Sequence, residues 1–242
     1  MKELFVNCFD IDLYDEGESS VYSCPKYKGN IYVTKNPGDI IRVDYLLNHM
    51  NNFFVICMLR DPRDSIVSIN GHDPGKYWCG LKFWKLYTPY IDKLINHPRF
   101  MLVRYEKLVN EPNEVQQEIM EKLPFLDEKI PFSKFCLRAK KDRKPACRPI
   151  INSSIGNWKH HLSRVKYQIE VHGSIAGDLI KYGYERDNDW EKILDGVIPD
   201  PTPGHFTEYT DVKRLRKTIR YNKIRSLLTM LGHNEFFHRE KK

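Results

Sequence analysis

The chain has no apolar run long enough to cross a bilayer. Its longest uninterrupted stretch, residues 53–59, falls far short of the roughly 20 residues a spanning helix needs. Met1-Lys2-Glu3-Leu4-Phe5 carries no signal-peptide pattern, so a cytoplasmic location is expected, and the sequon Asn152-Ser153-Ser154 has no secretory signal to support it. None of the six cysteines stands in a C-x-x-C pair, which removes zinc-ribbon and dithiol redox classes. The histidine doublet His160-His161 is adjacent rather than at i, i+4 spacing, so it does not form a two-histidine metal face on a helix, and no metal is expected. There is no internal repeat and no low-complexity tract. Glycine is scarce at the front: only Gly17, Gly29 and Gly38 precede residue 60, and no glycine-rich phosphate loop is found among them. The nearest lookalike, Gly71-His72-Asp73-Pro74-Gly75-Lys76-Tyr77, has one residue too few between its glycines and a tyrosine where a Ser or Thr must hold metal, which excludes a P-loop nucleotidase.

What is present fits one α/β domain with a sizeable core, or such a domain with an appendage: 242 residues, 41% hydrophobic and 29% charged. The net charge is +7, with much of the excess in residues 138–148 and 213–225. Such a balance suits a polyanionic cofactor and an acidic acceptor. It also suits nucleic acid, but no RNP, helix-turn-helix or zinc pattern accompanies it.

Hydrophobic spacing predicts strands at 4–9, 31–33, 53–59 and 100–103. It predicts helices at 39–50, 62–70, 76–96 and 111–123, and a further one over 165–182 ended by Gly183. Residues 71–75 and the basic stretch 139–155 read as loops. The alternation argues an α/β fold, a parallel sheet flanked by helices. Residues 1–194 are expected to form that domain, 195–210 a Pro/Gly-rich linker, and 211–242 a basic helical tail. The tail is amphipathic, a shape that suits a second subunit or an anionic surface.

The most informative segment is Phe53-Phe54-Val55-Ile56-Cys57-Met58-Leu59-Arg60-Asp61-Pro62-Arg63-Asp64, with Ser68 following. An apolar run reads as a strand buried on both faces, and Asp61-Pro62 then supplies an N-cap acceptor and a fixed φ to start a helix. Arg60 should therefore sit where a strand ends and helix N–H groups open, a place suited to a phosphate or sulfate. The bland alternative is that Arg60 pairs with Asp61 or Asp64 and Ser68 is merely helical.

In this pattern, R-D-P-R-D-x-x-x-S, the chain resembles the sulfotransferases that use PAPS (3′-phosphoadenosine 5′-phosphosulfate). Three more segments are similar to family motifs, in family order: Thr34-Lys35-Asn36-Pro37, then Val103-Arg104-Tyr105-Glu106-Lys107-Leu108-Val109 with Pro112, then Gly156-Asn157-Trp158-Lys159. The resemblance covers about residues 31–186 and implies a P-loop-like α/β topology. It also implies Arg60 and Ser68 on the cofactor's 3′-phosphate and Tyr105 near its adenine. Lys35 stands where cytosolic relatives carry a general-base histidine; it would stabilise the transferring sulfuryl group or bind the phosphosulfate, or else be an exposed loop lysine. Arg148, Ser153 and Ser154 stand in for the family's Arg-Lys-Gly ahead of G-x-W-K. The family's 5′-phosphosulfate loop has no counterpart that can be recognised; residues 1–30 either supply it in another form or do not supply it. Trp158 reads as a packing anchor, and Tyr77–Trp84 as core aromatics or the wall of an acceptor pocket. The implied activity is sulfuryl transfer from PAPS to a hydroxyl or amine of a carbohydrate, small alcohol or phenol, leaving adenosine 3′,5′-bisphosphate. The alternative is a non-catalytic relative that binds an anionic ligand or a protein.

Overall fold

The computed structural model describes residues 1–15, 17–21, 29–136, 150, 152–205 and 212–231. Arg148, most of the expected 139–155 loop, residues 22–28 of the front segment, the end of the expected linker and residues 232–242 lie outside them. The chain is mixed α/β and divides into two units. Unit 1 holds Met1–Met58, Tyr90–Ile151 and Asp211–Lys242; unit 2 holds Leu59–Pro89 and Asn152–Thr210.

Unit 1 begins with α1 (Lys2–Cys8), where a strand is expected from the sequence. Leu4, Phe5, Cys8 and Phe9 are buried, a spacing of four that one helix face satisfies and strand alternation does not. The short β1 (Leu13–Tyr14) and β2 (Tyr32–Val33) pair in parallel. The helix expected from 39 is split. A 3-10 turn, Pro37–Ile41, is capped by the Asn36 side chain, and α2 (Val43–His49) follows it. β3 (Val55–Leu59) pairs with β6 (Phe100–Arg104). β3 is less enclosed than its composition suggests: Val55, Ile56 and Cys57 are half-buried and Met58 is exposed. α5 (Tyr105–Asn110), absent from the sequence reading, follows β6 directly, and α6 (Pro112–Lys122) starts at its proline as expected. The core joins α1 to these helices through Phe5, Phe9, Leu108, Ile119 and Phe132. α9 (Val212–Met230) lies beside α2.

In unit 2, α3 (Pro62–Ile66) is one short turn rather than a helix to 70. The chain then folds into an antiparallel hairpin of β4 (Ile69–Asn70) and β5 (Asp73–Tyr77), where a loop is expected. Val67, Ile69 and the turn pair Asn70-Gly71 favour a hairpin over continuation of the helix. α4 (Leu81–Leu94) starts later than expected because Lys76 and Tyr77 belong to β5, and the unit boundary falls after its Pro89. The helix expected over 165–182 is two, α7 (Leu162–His172) and α8 (Ala176–Lys181), broken at Gly173. Gly173 has φ 83° and ψ 164°, backbone that essentially only glycine adopts. Lys85 Nζ donates to the carbonyls of His172, Gly173 and Ser174 at 2.7–2.9 Å, satisfying the helix end.

Residues 195–205 carry hydrogen bonds into unit 2. Asp200 accepts from the Tyr77 hydroxyl, Thr202 O accepts from Arg164 Nη1, and Gly204 bridges β5 at Tyr77. Among the described residues the strands form three separate two-stranded pairs, one of them antiparallel, rather than one parallel sheet.

Candidate functional site

The Arg60–Asp64 element turns the end of β3 into α3. Asp61 caps α3 as its sequence predicts: Oδ1 accepts from Arg63 N at 2.8 Å. This cap has a consequence for anion binding. Pro62 has no N–H, and the next amide, that of Arg63, is already taken by the protein's own carboxylate.

Arg63 is the residue the sequence reading passed over. It is 2% exposed, and its guanidinium forks onto Asp61 through Nε and Nη2, the latter at 2.7 Å. Nη1 donates to Glu185 at 2.6 Å. The cation lies 4.1 Å from the Trp158 ring centre and 4.7 Å from that of Trp190. Burial works against its charge, but the bonds to Asp61 and Glu185 outweigh it and raise the guanidinium pKa above its ordinary value. A charge this enclosed and this fully paired is structural. The signal that could have found it is the local one, an arginine two residues after an N-cap aspartate.

Asp64, also buried, reaches across to the other motif. Oδ2 accepts from Gly156 N at 2.8 Å and Oδ1 from Trp158 N at 2.9 Å. Gly156 has φ 73° and opens the 3-10 turn Asn157–His160, which presents both amides to one carboxylate. Arg60, half-buried, donates from Nη2 to Ser154 O at 2.6 Å. The carboxylates of Asp61 and Asp64, its suggested partners, are thus engaged by Arg63 and by the Gly156–Trp158 turn. Two elements some 92–94 residues apart are brought together by these bonds.

The remaining candidates fall as follows. Ser154 shares the Arg60 contact and is half-buried; Ser153 beside it is exposed. Ser68 is half-buried and lies beyond α3, not on it; its carbonyl accepts from Trp78 N at 2.6 Å. Lys35 and Tyr105 belong to unit 1. The Lys35 ammonium forms an ion pair with Glu18 beside a small cleft of about 350 Å³. Tyr105 is the first residue of α5 and half-buried. Trp158 is a packing anchor, 5% exposed, as read from the sequence. Trp84 is half-buried against the unit 2 core and donates through Nε1 to Asp178 at 2.9 Å.

Tyr77 instead lines a cleft of about 430 Å³ in unit 2, together with Lys159, His160, His161, Arg164 and Asp200. Arg164, 1% exposed, lies 4.5 Å from the Tyr77 ring centre. Burial, followed by the bond to Asp200, pushes the Tyr77 hydroxyl up to about 12. Among the described residues no group of three or more His, Cys, Asp or Glu could hold a metal ion, and no helix is long and apolar enough to cross a membrane. Compared with protein-family models, with curated proteins and with solved structures, the chain matches none.

Proposed function

We propose that the chain is a PAPS-dependent sulfotransferase with the sulfotransferase-type α/β fold. One observation carries this reading: the joining of the R-D-P-R-D element to the G-N-W-K element by Arg60–Ser154 and by Asp64 on the amides of Gly156 and Trp158. These are the two segments whose resemblance assigns them to the cofactor's 3′-phosphate. Arg60, whose Nη2 is bonded to Ser154 O, then supplies its guanidinium charge to the phosphate, and Ser68 and the Ser153-Ser154 turn add hydroxyl donors. Sulfuryl transfer would proceed by positioning and by cationic stabilisation of oxygens.

The test is calorimetric titration of adenosine 3′,5′-bisphosphate into the wild type and Arg60→Ala, followed by label transfer from PAPS to carbohydrate and phenol acceptors. Binding by the wild type, weakened by about 2–5 kcal/mol in the variant, is the expected result. A folded wild type that does not bind overturns it.

A second reading, a non-catalytic binder of an anionic ligand, draws on the Lys35–Glu18 ion pair, which occupies the only lysine the resemblance puts at the reacting group. Binding that depends on Arg60 without transfer to any acceptor is its signature.

A further inference from the structure

We propose that α9 docks the chain on an anionic lipid bilayer. The observation is an apolar face turned to solvent. A helix settled on its own protein buries apolar side chains and shows polar ones to water. Between residues 221 and 231, α9 departs from this, while Ile219, on the inner face, is half-buried. Asn222 and Ser226, on the face nearest the protein, are 3% and 0% exposed, and Ser226 Oγ donates to Asn222 O at 2.9 Å. Tyr221, Ile224, Leu227 and Leu231 stand in solvent, each at least 44% exposed. At 100° per residue, Leu227, Leu231 and Ile224 fall within about 60° of one another. Lys217, Arg220 and Lys223, all exposed, lie among them or at their margin.

Between Val212 and Met230 there are seven Lys and Arg and no Asp or Glu. Charge chooses among the occupants. A second copy of α9 would set seven cations against seven. Nucleic acid would answer the cations and leave three aliphatic side chains in water. An anionic membrane surface answers both: the aliphatic side chains enter the acyl boundary, and the long basic stems reach out to the headgroups. This placement does not depend on the sulfotransferase reading.

The test uses the whole chain and flotation with phosphatidylcholine vesicles, with and without about 30 mol% phosphatidylserine. Two variants are compared with the wild type, K217E/R220E/K223E and I224N/L227N/L231N. All six positions are exposed, so both variants should keep the wild-type circular dichroism. The wild type should float with the anionic vesicles and not with the neutral ones. The charge variant should bind about a hundredfold more weakly and the aliphatic variant at least about tenfold. No binding to anionic vesicles by the wild type overturns the proposal, whatever the variants do. So does binding lost in the charge variant and untouched in the aliphatic one, which marks a contact for soluble polyanions such as duplex DNA. Equal binding to both kinds of vesicle overturns it as well.

Discussion

Asp64 holds Trp158 by its main chain, Oδ1 on the amide at 2.9 Å, while its other oxygen takes the amide of Gly156. Both bonds run from neutral donors to a buried anion, and they fix the turn that follows Ser154. Asp64→Asn turns one acceptor into a donor facing a donor. We predict a loss of about 1–3 kcal/mol in unfolding free energy by urea titration. A change of a few tenths would mean that the turn is held by other contacts.

Arg63 joins Asp61, Glu185 and two tryptophan faces, so its removal takes a buried guanidinium from two carboxylates. Arg63→Ala should destabilise by about 3–5 kcal/mol. Arg63→Lys should recover only a minor part, because an ammonium cannot fork onto Asp61 while lying flat on both rings. Guanidinium unfolding followed by tryptophan fluorescence separates the two; full rescue by lysine would show that only the charge matters.

Gly173→Ala tests the break between α7 and α8. The backbone at φ 83° and ψ 164° is strained for any side chain, and the added Cβ would lie 3.3 Å from Lys85 Nζ. The expected cost is about 1–3 kcal/mol, read from the urea midpoint. A neutral result would mean that the two helices can merge, as the sequence spacing suggests.

Alkaline stability should depend on Tyr77. Its folded pKa, raised by burial and by Asp200 to about 12, exceeds the ordinary value of about 10 for tyrosine. The native state therefore holds the proton longer than the unfolded chain. Its contribution is intact below pH of about 10 and is lost as pH rises through about 12. Tyr77→Phe removes that slope. Cys57, pushed by burial to about 12, and Cys8, to about 11, keep theirs in both proteins. Unfolding free energies measured from pH 9 to 11 should thus fall less steeply in the variant; parallel curves would contradict the assignment.

Local chemistry made some of this legible before any coordinates. Asp61-Pro62 marks the start of α3, Pro112 that of α6, and the basic amphipathic run of the tail marks α9. Length defeated the rest. Leu4–Phe9 is too short an apolar run to tell one helix turn from a strand, and burial against α6 decided it. After α3, Val67, Ile69 and the Asn70-Gly71 turn favour a hairpin that the helical spacing of residues 62–70 conceals. Arg63 was hidden by its company: R-D-P-R-D reads as solvated charge until Trp158 and Trp190, about a hundred residues on, enclose it. Arg60 was placed correctly at the end of β3, but its bond to Ser154 is non-local and no spacing rule contains it.

Unit 2 is assembled from residues 59–89 and 152–210, whereas unit 1 takes its last helix from beyond residue 210. Chain order therefore imposes a timetable. During synthesis unit 2 has all of its parts once residue 210 has emerged, while α2 still waits for α9. A chain released short of residue 212 would hold every residue of unit 2 and a unit 1 whose flank on α2 is still bare.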